Sequence, residues 1–212
     1  MRSGNVCLCV LIDAASYAYY QAFILKPPQI RMRYTCSAAG VPHTYLRRLQ
    51  DEGLIIRIGR GIYQHAQADV TASHSLAIVS KAIPHGVICL LSALQFHELT
   101  TQLPHQVWVF IENGRWSPIS SPVSLRVIRS SSEALTAGLK RHNIEGVSVP
   151  ITIPAKTVAD CFKHRNKVGT DVAIAALKEC LSFRKATVDE IWRFAEINRV
   201  ASVMKPYFEA IV

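Results

Sequence analysis

The 212-residue sequence contains no apolar run of 18 residues, so no helix is expected to span a membrane. It has six cysteines, Cys7, Cys9, Cys36, Cys89, Cys161 and Cys180, but no Cys-x-x-Cys pair and no repeated cysteine spacing. A zinc ribbon, a thioredoxin-type redox pair and a disulfide framework are thereby excluded, and the thiols read as reduced core residues of a cytoplasmic protein. The chemical signatures of several enzyme classes are also missing. There is no Gly-x-Ser-x-Gly for a serine hydrolase and no Gly-x4-Gly-Lys phosphate loop. No Asp-x-Asp or Asp-x-Glu pair is present to hold two metals for nucleotidyl transfer, and no Asp-x-Lys or Glu-x-Lys of a common nuclease pattern. These absences favour a protein that is not an enzyme and needs no cofactor. Low-complexity segments and internal repeats are absent too.

Acidic residues are also scarce. Fifteen Asp and Glu face 24 Lys and Arg, giving a net charge of +9 and an isoelectric point near 9.5. Such a balance points to a polyanionic partner, nucleic acid first. Half of the residues are hydrophobic, enough for a packed core. At the N-terminus, Val6–Ile12 is a short apolar run ended by Asp13 and lacks the long apolar stretch and cleavage site of a secretory signal. Asp13 or Ser16 can cap a helix to about Leu25, with Tyr17, Tyr20, Phe23 and Ile24 on one face, before Pro27-Pro28 stops it.

The positive charge is concentrated in one place. Residues 31–65 carry Arg31, Arg33, Arg47, Arg48, Arg57 and Arg60 against Asp51 and Glu52, a net +4 in a short block. The polar stretch His65–Thr71 marks the boundary, dividing the chain into domains 1–66 and 70–212. In the first, the sequence predicts a helix over 35–39, a glycine turn at Gly40, and a second helix over 42–52 that Gly53 ends. Val41, Leu46, Leu49 and Leu54 share the packing face of that second helix, while His43, Thr44, Arg47 and Arg48 lie opposite. Short polar groups and guanidinium groups suit base edges and phosphates in a duplex groove. His43 either touches DNA or caps the helix start. Arg48 either reaches a phosphate or pairs with Glu52 at i,i+4.

Leu54–Tyr63 then reads as a β-hairpin with Arg60 between Gly59 and Gly61 at its tip. A helix–turn–helix followed at once by a hairpin is the pattern of a winged helix, a module that binds DNA and also docks proteins. The candidate DNA-contacting residues are His43, Thr44, Tyr45, Arg47, Arg48, Arg57 and Arg60.

In the second domain the sequence predicts helices over 73–83 and 89–97, strands over 106–111, 124–128 and 147–153, and helices from Pro154 onward. Pro154 at a first helical position, Thr170 or Asp171 as a cap, and Thr187 with Glu190 in capping-box spacing mark three helix starts. The fold class is therefore α+β: an N-terminal winged helix–turn–helix and a larger mixed α/β domain. His85-x3-Cys89 and Cys161-x-x-His164 match metal-ligand spacing, but neither has a second pair to complete a site, and no metal is expected. The helix from Pro154 carries Lys156, Lys163, Arg165 and Lys167, which form either a second basic surface or a solvated face with a Lys156–Asp160 pair. Trp108 and Phe110 alternate on one strand, as core residues or as a stacking platform for RNA.

The run Ala39-Gly-Val-Pro-His-Thr-Tyr-Leu-Arg-Arg-Leu-Gln-Asp-Glu-Gly-Leu54 with Gly59-Arg-Gly-Ile-Tyr63 resembles the N-terminal domain of the AbiEi family of antitoxins. The resemblance extends, over about residues 31–212, through Pro84–Leu94, Thr100–His105, Ile153–Phe162 and His164–Lys167, while residues 1–30 are atypical of the family. It implies a transcriptional autorepressor that binds inverted repeats in its own promoter as double-stranded DNA. It also implies a second domain that neutralises a nucleotidyltransferase-like toxin of a type IV toxin–antitoxin, phage-defence system. The DNA-binding role then falls on Thr44, Arg47, Arg48 and Arg60. The alternative is a nucleic-acid-processing or nucleotide-binding enzyme that uses the winged helix for docking.

Overall fold

The uninterrupted apolar run Val107-Trp-Val-Phe-Ile111 is buried on both faces, and a sheet is built around it. The structure is a computed structural model and describes residues 18–20, 22, 30–117, 121–131 and 135–211. The expected first helix from Asp13 or Ser16 lies largely outside the described residues, as do Cys7 and Cys9. The chain divides into two units, residues 1–68 and 69–212.

The first unit contains β1 (Ile30–Met32), α1 (Arg33–Ala38), α2 (His43–Asp51), β2 (Ile55–Gly59) and β3 (Ile62–His65). The three strands form an antiparallel sheet with β3 in the centre. Arg31 pairs with Tyr63 from one side and Arg57 from the other. The strand β1 is too short for sequence periodicity to reveal. Cys36, Val41, Tyr45, Leu46, Leu49, Ile55 and Tyr63 form a small core, with Tyr20 and Leu54 against it.

The second unit opens with α3 (His74–Ala82), β4 (Val87–Ile88), α4 (Leu90–Phe96), β5 (Val107–Glu112) and β6 (Leu125–Ser130). It continues with β7 (Leu139–Ile144), β8 (Val147–Thr152), α5 (Pro154–Lys163), α6 (Arg165–Val168), α7 (Thr170–Ser182), α8 (Val188–Ile197) and α9 (Ala201–Ile211). Its five-stranded sheet runs β6-β5-β4-β8-β7. The β5–β6 and β4–β8 pairs are parallel, and β4–β5 and β7–β8 are antiparallel. The fold is thus mixed α/β with two sheets. The three expected strands are present within two residues of their bounds, and two more, β4 and β7, complete the sheet.

Buried residues of α4, α5, α7, α8 and α9 pack into one core with Trp108 and Phe110 of β5. Helix α5 lies deep within it: every residue from Ala155 to Phe162 is buried. Pro154 stands at the start of α5, and Thr187 closes a full capping box with Glu190 at the start of α8. The expected cap at Thr170 or Asp171 is displaced: Gly169 is the N-cap of α7 and Asp171 sits in its first turn. A carboxylate there still complements the helix dipole.

Candidate nucleic-acid interface

Helices α1 and α2 are joined by a turn whose geometry requires Gly40. Its φ is +78°, in the left-handed region that side chains disfavour. The Ala39 and Val41 amides donate hydrogen bonds to the Cys36 carbonyl, at 3.1 and 2.9 Å, and the Gly40 amide donates to the Ser37 carbonyl at 3.0 Å; together they lock the turn. Pro42, extended at φ −64° and ψ 148°, is the N-cap of α2. At the other end Leu54 N donates to Leu49 O across Gly53, 2.9 Å.

Helix α2 divides sharply into two faces. Tyr45, Leu46 and Leu49 are buried; His43, Thr44, Arg47 and Arg48 are exposed. Tyr45 corrects the sequence expectation. It is only 4% exposed, its ring edge-on to Tyr20 at 4.8 Å between centroids, and it leaves the candidate interface. The reason is helical phase: Tyr45 stands one turn before Leu49 on the same inward stripe. Arg48 pairs with Glu52, with Nε 3.0 Å from Oε1, and both side chains are solvent-accessible.

The strands β2 and β3 form a hairpin in which the register shifts between Arg57 and Gly59, a β-bulge that twists the ribbon. Arg60 and Gly61 form its tip. Arg60 is exposed, and Gly61 has a φ of +72°. Arg57 is exposed on the edge strand and donates from Nε to Gly59 O at 3.3 Å. Arg47 and Arg60 make no ion pair among the described residues. Helix and hairpin together carry six of the seven expected residues on the surface of one unit, without an unfavourable burial of charge.

The expected basic surface of the second unit is largely dissolved. Lys156 is 1% exposed, with Nζ 3.2 Å from Asp160 Oδ2. Position 156 falls on the side of α5 that packs inward, so its charge must be matched internally. Asn198 donates from Nδ2 to Asp160 Oδ1 at 2.8 Å and accepts from Lys163 Nζ at 3.3 Å. Arg165 is half-buried and donates to Phe162 O at 3.0 Å. Lys163 and Lys167 remain exposed. Burial, and then Lys167, Lys163 and Lys156, push His164 down to about 4.

The metal-spaced pairs do not converge. Between His85, in a turn, and Cys89 the chain forms the short strand Val87–Ile88 rather than a helix, so their four-residue spacing places them on no common helical face. His85 Nε2 is 2.9 Å from Trp116 O, while Cys89 is fully buried. Burial raises the Cys89 and Cys161 thiols well above their usual range, which suits packing rather than ligation. Among the described residues, no three His, Cys, Asp or Glu side chains gather in a way that would hold a metal. Trp108 and Phe110 are 5% and 2% exposed, so β5 offers no stacking platform.

Residues 22–65 match the family of AbiEi antitoxin transcriptional regulators. The match spans β1, the α1–turn–α2 pair and the β2–β3 hairpin, so the AbiEi likeness falls on the unit that exposes the arginines. It begins before residue 31 and ends at residue 65. The second-unit motifs that resembled AbiEi in sequence therefore lie outside it. The AbiEi family is one of regulators and antitoxins of toxin–antitoxin systems rather than enzymes. Among solved structures, the chain is similar to the RV2827C protein of Mycobacterium tuberculosis, with a TM-score of 0.58 and 11% identity over 85% of this chain and 71% of that one. At that identity the likeness is one of fold alone. No curated protein sequence matches the chain. No helix among the described residues is long and apolar enough to cross a membrane.

Proposed function

We propose that the first unit is a winged helix–turn–helix that binds duplex DNA, with α2 as recognition helix and the β2–β3 hairpin as wing. In this reading the chain is an autorepressor bound to inverted repeats in its own promoter. Its second unit neutralises a nucleotidyltransferase-like toxin of a type IV toxin–antitoxin system. The observation that carries the DNA reading is the division of α2: an apolar stripe anchors the helix, and His43, Thr44 and Arg47 stand opposite it, free for base edges and phosphates. The exposed Arg60 at the hairpin tip and the net charge of +9 support it. The AbiEi match over the same residues supports the regulatory and antitoxin role.

A mobility-shift titration on the chain's own promoter tests this reading. Arg47→Ala and Arg60→Ala each weaken binding by about tenfold, roughly 1.4 kcal/mol, while thermal midpoints stay unchanged. Unchanged affinity in both variants refutes it.

A further inference from the structure

Helix α7 carries a stripe that sequence reading missed. Asp171, Ala175, Glu179 and Phe183, the residue that caps its C-terminal end, recur every four residues and so share one face. That face walls a groove of about 600 Å³, closed on the other side by α4 and the segment that follows it. The groove floor is apolar, with Leu99 and Val172 buried, and Phe183 is 57% exposed at one end. Every charged side chain lining it is acidic: Glu98, Asp171 and Glu179. In a chain of net charge +9 this is an inverted patch.

The rim already holds one ammonium group. Lys185 Nζ lies 3.1 Å from Glu98 Oε2 and stands over the Phe183 ring, 5.8 Å from its centroid. Asp171 and Glu179 make no ion pair among the described residues. They are eight residues apart, a rise of about 12 Å or two helical turns. Between them Ala175 leaves a notch above the apolar floor. A polyanion is repelled here, whereas a guanidinium or ammonium group on an aliphatic stem satisfies both the carboxylates and the floor.

We propose that this groove docks a basic amphipathic segment of a protein partner, with two cations about two turns apart meeting Asp171 and Glu179 and an aliphatic side chain seated over Ala175 against Phe183. The chemistry of the groove stands independently of the antitoxin reading above.

The probe is a labelled helical peptide of about 15 residues, with arginines eight apart and leucines between them, titrated into the full chain at low salt. We expect the Asp171→Asn/Glu179→Gln double variant, and separately Ala175→Arg, to weaken binding by at least about tenfold with unchanged thermal midpoints. A glutamate-for-arginine peptide should not bind. Equal binding by wild type and both variants overturns the proposal.

Discussion

Lys156 and Asp160 face one another one turn apart on α5, 3.2 Å between Nζ and Oδ2, and neither side chain reaches solvent. Burial pushes the Asp160 carboxyl up, while Lys156 and the Asn198 amide pull it back. Both charges lie within a largely apolar core, where each partner neutralises the other. Asp160→Ala strands a buried ammonium and should destabilise the chain by about 3–5 kcal/mol. Lys156→Met with Asp160→Leu removes both charges and keeps the volume, and should recover most of that loss. Urea denaturation of the three proteins checks the order. A double variant no more stable than Asp160→Ala contradicts it.

A second buried carboxylate organises the start of the second unit. Glu145, in the turn between β7 and β8, accepts from Thr71 N and Thr71 Oγ1 at 2.9 Å each, and its Oε2 is 2.7 Å from His74 Nδ1. Ser73 offers α3 no side-chain cap, so Glu145 meets its N-terminal end from 71 residues away. Burial raises the Glu145 carboxyl, but the Thr71 and His74 bonds outweigh it and the net direction is down. A carboxylate with a lowered folded pKa stabilises the native state above its unfolded pKa of about 4.3 and loses that contribution as pH falls further. Glu145→Gln should lower stability at neutral pH by about 1–3 kcal/mol, with the gap to wild type closing below about pH 4. Denaturation at the two pH values tests both halves. A gap that persists in acid sinks this account.

The elements that sequence reading found are those where one physical signal dominates. Five apolar residues in a row marked β5, proline marked the start of α5, and Thr187 with Glu190 marked α8. Strand β7, Leu-Lys-Arg-His-Asn-Ile, escaped because an edge strand with a solvated face carries charge where periodicity looks for apolar residues. Strand β4 escaped because two residues cannot show a period. At the candidate interface the exposed face of α2 was legible, since Leu46 and Leu49 fix its phase. Tyr45 was misread because an aromatic with a hydroxyl suits both a groove and a core. Lys156 was misread because sequence cannot tell a solvated i,i+4 pair from a buried one. Its depth is set by the helices and strands that α5 packs among.

His164 follows the Lys156–Asp160 helix and supplies a second pH signature, separate from that of Glu145. Burial, with Lys167, Lys163 and Lys156 beside it, holds the imidazole near 4 in the folded chain. The unfolded imidazole takes its proton at about 6.5. Between those values the unfolded state binds the extra proton, so stability is full above about pH 6.5 and declines as pH falls toward 4. His164→Gln should flatten thermal midpoint against pH across that window. An identical slope in wild type and variant excludes His164 as the cause.

On α2, Glu52 holds Arg48 at 3.0 Å and places a negative charge beside the proposed DNA face. The pair is solvent-accessible, so breaking it changes stability by no more than about 1 kcal/mol. DNA binding is more sensitive, because Glu52 both repels phosphate and engages a guanidinium that reaches toward it. Glu52→Gln should therefore tighten promoter binding. Arg48→Ala should weaken it and lower the slope of log affinity against log salt by about 1, as expected for one lost phosphate contact. Arg47→Ala should lower the slope similarly if its contact is to phosphate. If it reads a base edge, affinity falls but the slope holds, and the loss is confined to the cognate sequence. Titrations at several salt concentrations, with promoter and unrelated duplex side by side, separate these cases. A Glu52→Gln chain that binds no more tightly than wild type would place α2 away from the duplex.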